Sequence, residues 1–185
     1  MICLGAATFT RLSRHFAEMN RSSKLPDSPR FTFVVALLCA VAMVGGGVLL
    51  QQTLRIAACP LCISQRMLAM LLLAWAAVGL GLNRHRSGRI VTLTLMLVTT
   101  AFGAFVAGYQ TWLQRFTVDV QCSGQAAWWE LLIDWAGEQV PILFYASGLC
   151  SDPAWKFLAL SIAEWSLVIF SGLTLLILRS LLRRS

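Results

Sequence analysis

Charge is what this sequence has least of. Asp, Glu, Lys and Arg make up 12% of its 185 residues, against 58% hydrophobic, and mean hydropathy is +0.72. A soluble domain of this length must cover itself with polar groups, so the balance points to a membrane protein. Histidine is scarcer still, with His15 and His85 alone. No Gly-x-Gly-x-x-Gly run is available to cradle a nucleotide or flavin, and no Cys-x-x-Cys-His to attach haem. A thioredoxin-like domain is excluded too, because no alternation of strand and helix patterns surrounds the one Cys-x-x-Cys.

The charge that is present leans basic, with a net +7 and a pI near 9.6. A soluble protein with that balance would suggest nucleic acid as a partner. Here there is no aromatic-interleaved basic groove and no nucleic-acid motif, so no nucleic-acid partner is expected. The positive residues sit beside long apolar runs, as in an inner-membrane protein.

About 20 apolar residues in a helix cross the hydrocarbon core. Four runs qualify: about 31–50, 63–82, 90–109 and 163–178, the second carrying Arg66 and the fourth Glu164 near its entry. Arg11, Arg14, Arg21, Lys24 and Arg30 precede the first run. Arg84, Arg86 and Arg89 link the second to the third, and Arg179, Arg183 and Arg184 follow the fourth. These segments share one side of a four-span protein, which places that side, with both termini, in the cytoplasm. Residues 1–30 read as a polar, disordered lead rather than a cleaved signal, with Met19 as an alternative start and Cys3 as a cytosolic thiol. Residues 31–185 form the four-span domain.

Four of the six cysteines then fall on the outer side: Cys59 and Cys62 after the short first outer loop, Cys122 and Cys150 in the long second one. Disulfides persist in an oxidising periplasm and are rare in the cytosol. Between the second pair, Trp128, Leu131, Leu132 and Trp135 fall on one helical face and Glu130, Asp134 and Glu138 on another, predicting a short amphipathic helix in the membrane interface. Its anchoring either only fixes the loop or also gives it a hinge.

Cys59-Pro60-Leu61-Cys62 carries redox or metal chemistry. Cys62 opens the second span, where unpaired backbone N–H groups and the helix dipole favour a thiolate. Arg66 lies on the same helical face, roughly 6 Å deeper. A guanidinium there supports the thiolate, a bound electron acceptor or both, unless it only snorkels to the interface. A zinc site would repeat the close cysteine spacing, but 27 residues separate Cys122 from Cys150 and no His lies on the outer side, so no metal is expected. Two outer dithiol pairs imply thiol exchange, and by elimination a lipid-soluble acceptor such as a quinone.

These residues carry a family resemblance. Cys59-Pro60-Leu61-Cys62-Ile63-Ser64-Gln65-Arg66, Ala107-Gly108-Tyr109-Gln110-Thr111-Trp112-Leu113-Gln114 and Val140-Pro141-Ile142-Leu143-Phe144-Tyr145-Ala146-Ser147-Gly148-Leu149-Cys150 resemble the bacterial disulfide bond formation protein B (DsbB) family, as do Trp155-Lys156-Phe157-Leu158 and Trp165. The resemblance implies an all-α four-helix transmembrane bundle with a short membrane-parallel helix. It implies an inner-membrane enzyme that reoxidises a DsbA-like periplasmic thiol oxidase and passes electrons to a quinone, ubiquinone or menaquinone. Cys122 resembles the cysteine that forms the mixed disulfide with the soluble partner, and Cys150 its mate, which exchanges with Cys59. Cys62 resembles the quinone-contacting thiolate, and Arg66 the arginine that supports quinone reactivity. Two departures stand out. Gln110 occupies a position where many members have His, so that histidine's role does not carry over. Ile162-Ala163-Glu164-Trp165 replaces a common Met-Pro-x-Trp.

Two competing functions remain: the same chemistry run backwards as a reductase, and a non-catalytic subunit stapled by two disulfides, which leaves Arg66 unexplained. Cys39 reads as a small core hydrophobe, Gly45-Gly46-Gly47 as a close helix-packing site, Trp75 as packing, and Trp112 and Trp165 as interfacial anchors.

Overall fold

The computed structural model describes residues 29–55, 58–116, 128–145, 148 and 155–183. The polar lead before Pro29, with Cys3 and Met19, falls outside them, as do Cys122 and Cys150.

Four long helices make the frame: α1 (Pro29–Leu54), α2 (Pro60–Leu82), α3 (Arg86–Phe116) and, last in the chain, α6 (Ile162–Leu182). All are long and apolar enough to cross a membrane, with mean hydropathies of 2.6, 1.8, 2.1 and 1.9 over their best windows. The four-span all-α architecture is therefore as the sequence implied, with longer helices. α3 is the clearest case, running to Phe116, because Gln110, Gln114 and Arg115 end the apolar run without breaking the helix.

α1 packs on α2, α2 on α3 and α3 on α6, and a lighter α1–α6 contact closes the bundle. Its core joins Phe33, Ala36 and Ala40 to Leu72, Ala76, Leu93, Met96, Leu173 and Ile177. Cys39 and Trp75 pack against this core. Close approach is set by Gly79 against the ring of Phe33 and Gly103 against that of Phe170, where an added Cβ would collide. The expected packing role of the α1 glycines needs correcting. A Cβ at Gly45 or Gly46 would meet nothing within 4 Å among the described residues, and only Gly47 is tight, against Arg66. Leu38, Val98, Phe105 and Leu175 point outward, as residues facing lipid tails do. Several span hydroxyls bond back to their own helix, as Thr100 Oγ1 does to Met96 O at 2.9 Å, which satisfies that donor in an apolar medium.

The remaining elements gather at the bundle end that holds the start of α2. α4 (Trp128–Gln139) and the single turn α5 (Pro141–Phe144) pack together, and α4 also touches α2. A short helix stands where the sequence predicted one. Its Leu131, Leu132 and Trp135 are exposed, while Ile133 and Gly137 form the buried stripe, Gly137 lying against Phe144 O.

An unforeseen antiparallel hairpin precedes α6, pairing β1 (Lys156–Phe157) with β2 (Leu160–Ser161). Its turn residues Leu158 and Ala159 have φ of 53° and 65°, the sign a two-residue turn of this hand needs. Trp165 Nε1 donates to Phe157 O at 3.1 Å and ties the hairpin to α6. Neither turn residue is Gly or Asn, so the sequence carries no turn signal here. α6 begins with a capping box: Ser161 Oγ accepts from Glu164 N, and Glu164 Oε2 accepts from Ser161 N at 2.7 Å.

Candidate active site

Arg55, just past the end of α1, is in the left-handed region at φ 50°. Cys59 is extended, and Pro60 supplies the fixed φ and missing N–H that suit a first helical position. Cys59 caps the helix through sulfur, its Sγ accepting from Cys62 N at 3.3 Å. Cap and first turn thus bring the two side chains together, with Cys59 Sγ donating to Cys62 Sγ across 2.9 Å. Cys59 is 3% exposed. Leu61 and Val106 complete its apolar setting, with Leu68 and Leu113 packed outside them.

Gln110, on α3, reaches this pair. Its Nε2 donates to Cys59 Sγ at 3.2 Å and to Cys62 Sγ at 3.1 Å, and its Oε1 accepts from Gln65 Nε2 at 2.8 Å. Both glutamines are buried. The sequence flagged Gln110 only as a departure from a family pattern and passed over Gln65. The available signal was spacing: Gln65 and Arg66 lie three and four residues beyond Cys62, on its helical face.

Arg66 is 8% exposed. Its Nη1 donates to Gln51 Oε1 at 3.0 Å and to the Leu143 carbonyl at 2.6 Å. One guanidinium therefore joins the end of α1, the first turns of α2 and the α5 turn. Snorkelling alone does not describe a group bound to two protein acceptors. Its Nε and Nη2 lie against Gly47, 3.5 and 3.2 Å from where a Cβ there would stand. Gln51, also missed in the sequence, is the α1 half of this clasp.

Close by, the Gly148 N–H donates to the Ala58 carbonyl at 2.9 Å. The structure thus brings Cys59, Cys62 and Arg66 into one cluster with Gln51, Gln65 and Gln110. Cys122 and Cys150 lie outside the described residues, and the chain leading to Cys150 is beside the site at Gly148. At the same bundle end, Glu164 is bonded to Arg115 and Ser161 Oγ donates to Gln114 Oε1 at 2.8 Å.

The profile of disulfide bond formation protein DsbB matches residues 29–179. Disulfide bond formation protein B of Dechloromonas aromatica is 37% identical over 153 residues, 82% of this chain and 90% of that protein. Its namesakes in Albidiferax ferrireducens and Polaromonas naphthalenivorans are 34% and 35% identical, each over 86% of this chain and 91% and 96% of their own lengths. With its four apolar helices and a cysteine pair at the head of the second, the chain belongs to the DsbB family of membrane disulfide bond formation proteins.

Proposed function

We propose that this chain is a quinone-dependent disulfide oxidase of the bacterial inner membrane that reoxidises a DsbA-like periplasmic thiol oxidase. The observation that carries the reading is the Cys59–Cys62 contact of 2.9 Å at a helix N-terminus, inside a bundle long and apolar enough to cross a bilayer. The basic segments favour a topology with both termini cytoplasmic and the cysteines periplasmic. In that topology the exposed face of α4 meets the outer interface.

Electrons enter by thiol exchange. A thiolate of the reduced partner attacks the Cys122–Cys150 disulfide at Cys122, giving a mixed disulfide and a Cys150 thiolate. The partner's second thiol resolves the mixed disulfide and leaves oxidised. Cys150 then attacks Cys59 of the oxidised Cys59–Cys62 pair and releases Cys62 as thiolate. When Cys122 displaces Cys59, the outer disulfide is restored and the inner pair is left reduced. The Gly148–Ala58 bond supports this hand-over, because two residues of chain span at most about 7 Å.

A bound quinone supplies the two-electron, two-proton acceptor that returns Cys59–Cys62 to the disulfide. The residues fit such a group. Arg66 keeps Nε and Nη2 beside Gly47 while Nη1 is held, which suits a carbonyl oxygen, and Leu61, Leu68, Val106 and Leu113 make an apolar surround. Cys62 holds the electron-rich sulfur, with Arg66 to balance its charge and Gln110 to donate a hydrogen bond to it.

The test mixes purified protein, a reduced DsbA-like partner and a soluble quinone analogue, and follows quinone absorbance. Reduction should occur and vanish in Cys62→Ala; a rate indifferent to that change refutes the reading. A partner stripped of its second, resolving cysteine should be trapped as a mixed disulfide with Cys122, Cys150 leaving as thiolate, and an adduct mapped to Cys59 would reverse the order of transfer.

A further inference from the structure

The pair of buried glutamines beside the thiols does something the relay alone does not require. A carboxamide has a donor end and an acceptor end, and a buried one is costly if either faces the wrong group. Gln65 Nε2 donates to Gln110 Oε1 at 2.8 Å, which turns Gln110 Nε2 towards both sulfurs, at 3.2 and 3.1 Å. The two hydrogens of that NH₂ serve both cysteines at once, so the donor is in place whichever sulfur carries the charge during exchange. Gln110 is 1% and Gln65 3% exposed, so water competes little for either amide.

We propose that Gln110 is a catalytic hydrogen-bond donor to the Cys59–Cys62 thiolate, and that Gln65 is the positioning residue fixing which end of the Gln110 amide faces the sulfurs. Among the described residues, the charged group facing the pair is Arg66, from α2 itself. α1 contributes the neutral Gln51, α3 Gln110, and α5 the Leu143 carbonyl. An amide does not titrate and a guanidinium stays protonated. The described groups that stabilise the thiolate therefore keep their charge across the pH range, whereas an imidazole at position 110 would change charge near neutrality.

The assignment rests on Cys59–Cys62 being the reactive pair. Its test needs neither quinone nor partner, so its failure is separable from failure of the proposed relay. The reduced full-length protein in detergent is alkylated with iodoacetamide across a pH series, and the rate at Cys62 is read by peptide mass spectrometry. Gln110→Leu should lower the neutral-pH rate about tenfold, the loss of one hydrogen bond to a charged group. Gln65→Met should lower it severalfold in the parent and by less than about a factor of two in a Gln110→Leu background, because it acts through Gln110. Gln110→His should retain most of the rate but add a step to the pH profile that the parent lacks. An unchanged rate in Gln110→Leu overturns the proposal. So does an equal Gln65→Met effect in both backgrounds, or a Gln110→His profile with no added step. Thermal melting of each variant in the same detergent identifies any that fail to fold, and Gln110→His, which keeps a donor of similar size, carries the test if Gln110→Leu is one of them.

Discussion

The backbone N–H of Gly148 and the carbonyl of Ala58 are joined across 2.9 Å, and each stands within two residues of a cysteine, Cys150 on one side and Cys59 on the other. Residues 90 positions apart are thus held in register by a single backbone bond. Gly148→Pro removes the donor. The expected outcome is slower exchange between the outer and inner pairs, by about fivefold for a bond worth about 1 kcal/mol. Rapid quenching with a thiol trap, after reduced partner is added without quinone, and quantification of reduced Cys59 and Cys62 measure it.

Arg66 carries a second link between the same regions, and its value lies in reaching two acceptors from one nitrogen. Arg66→Met leaves Gln51 Oε1 and the Leu143 carbonyl without that donor. The bundle should lose about 1.5–3 kcal/mol, seen as a lower melting temperature in detergent. Proteolysis near residues 141–145 should quicken in step. Arg66→Lys keeps the charge but not the planar fork, and should fall between the two.

Packing gives a test independent of chemistry. Gly79→Ala drives a methyl into the Phe33 ring and should cost about 1–3 kcal/mol. Adding Phe33→Leu should recover part of that loss, and melting curves of the single and double variants decide it. If Gly79→Ala is neutral, the α1–α2 approach is looser than described.

At the α6 entrance, Ser161→Ala removes a helix cap and the bond to Gln114, and should cost about 1–2 kcal/mol. Arg115→Ala should matter less, under about 1 kcal/mol, since the Arg115 side chain is 61% exposed and surface pairs contribute little. Comparing the two melting shifts separates cap from salt bridge.

The four spans were legible because the bilayer forces about 20 apolar residues into view at once. Cys59 and Cys62 were legible because spacing and helix position suffice to bring two thiols together. Gln51 and Gln110 were not, because each comes to the site from another helix and a glutamine near a span end usually marks only the water boundary. Gln65 sat in plain sight on the Cys62 face, masked by the louder charge of Arg66. The hairpin at Lys156–Ser161 was hidden for a different reason: its left-handed turn is made by Leu158 and Ala159, residues that give no turn signal.

Burial of Cys59 has a further consequence for the proposed relay. At 3% exposure, the sulfur offers small diffusing thiols almost no approach line. Attack on a disulfide needs near-linear access to the sulfur, so a tripeptide thiol in bulk water is excluded by shape, whatever its reducing power. A cysteine delivered on the protein's own chain is not. Under the proposed relay, this burial would act as insulation on a wire: current would pass between the intended terminals, and the surrounding pool of reductant would not short-circuit it.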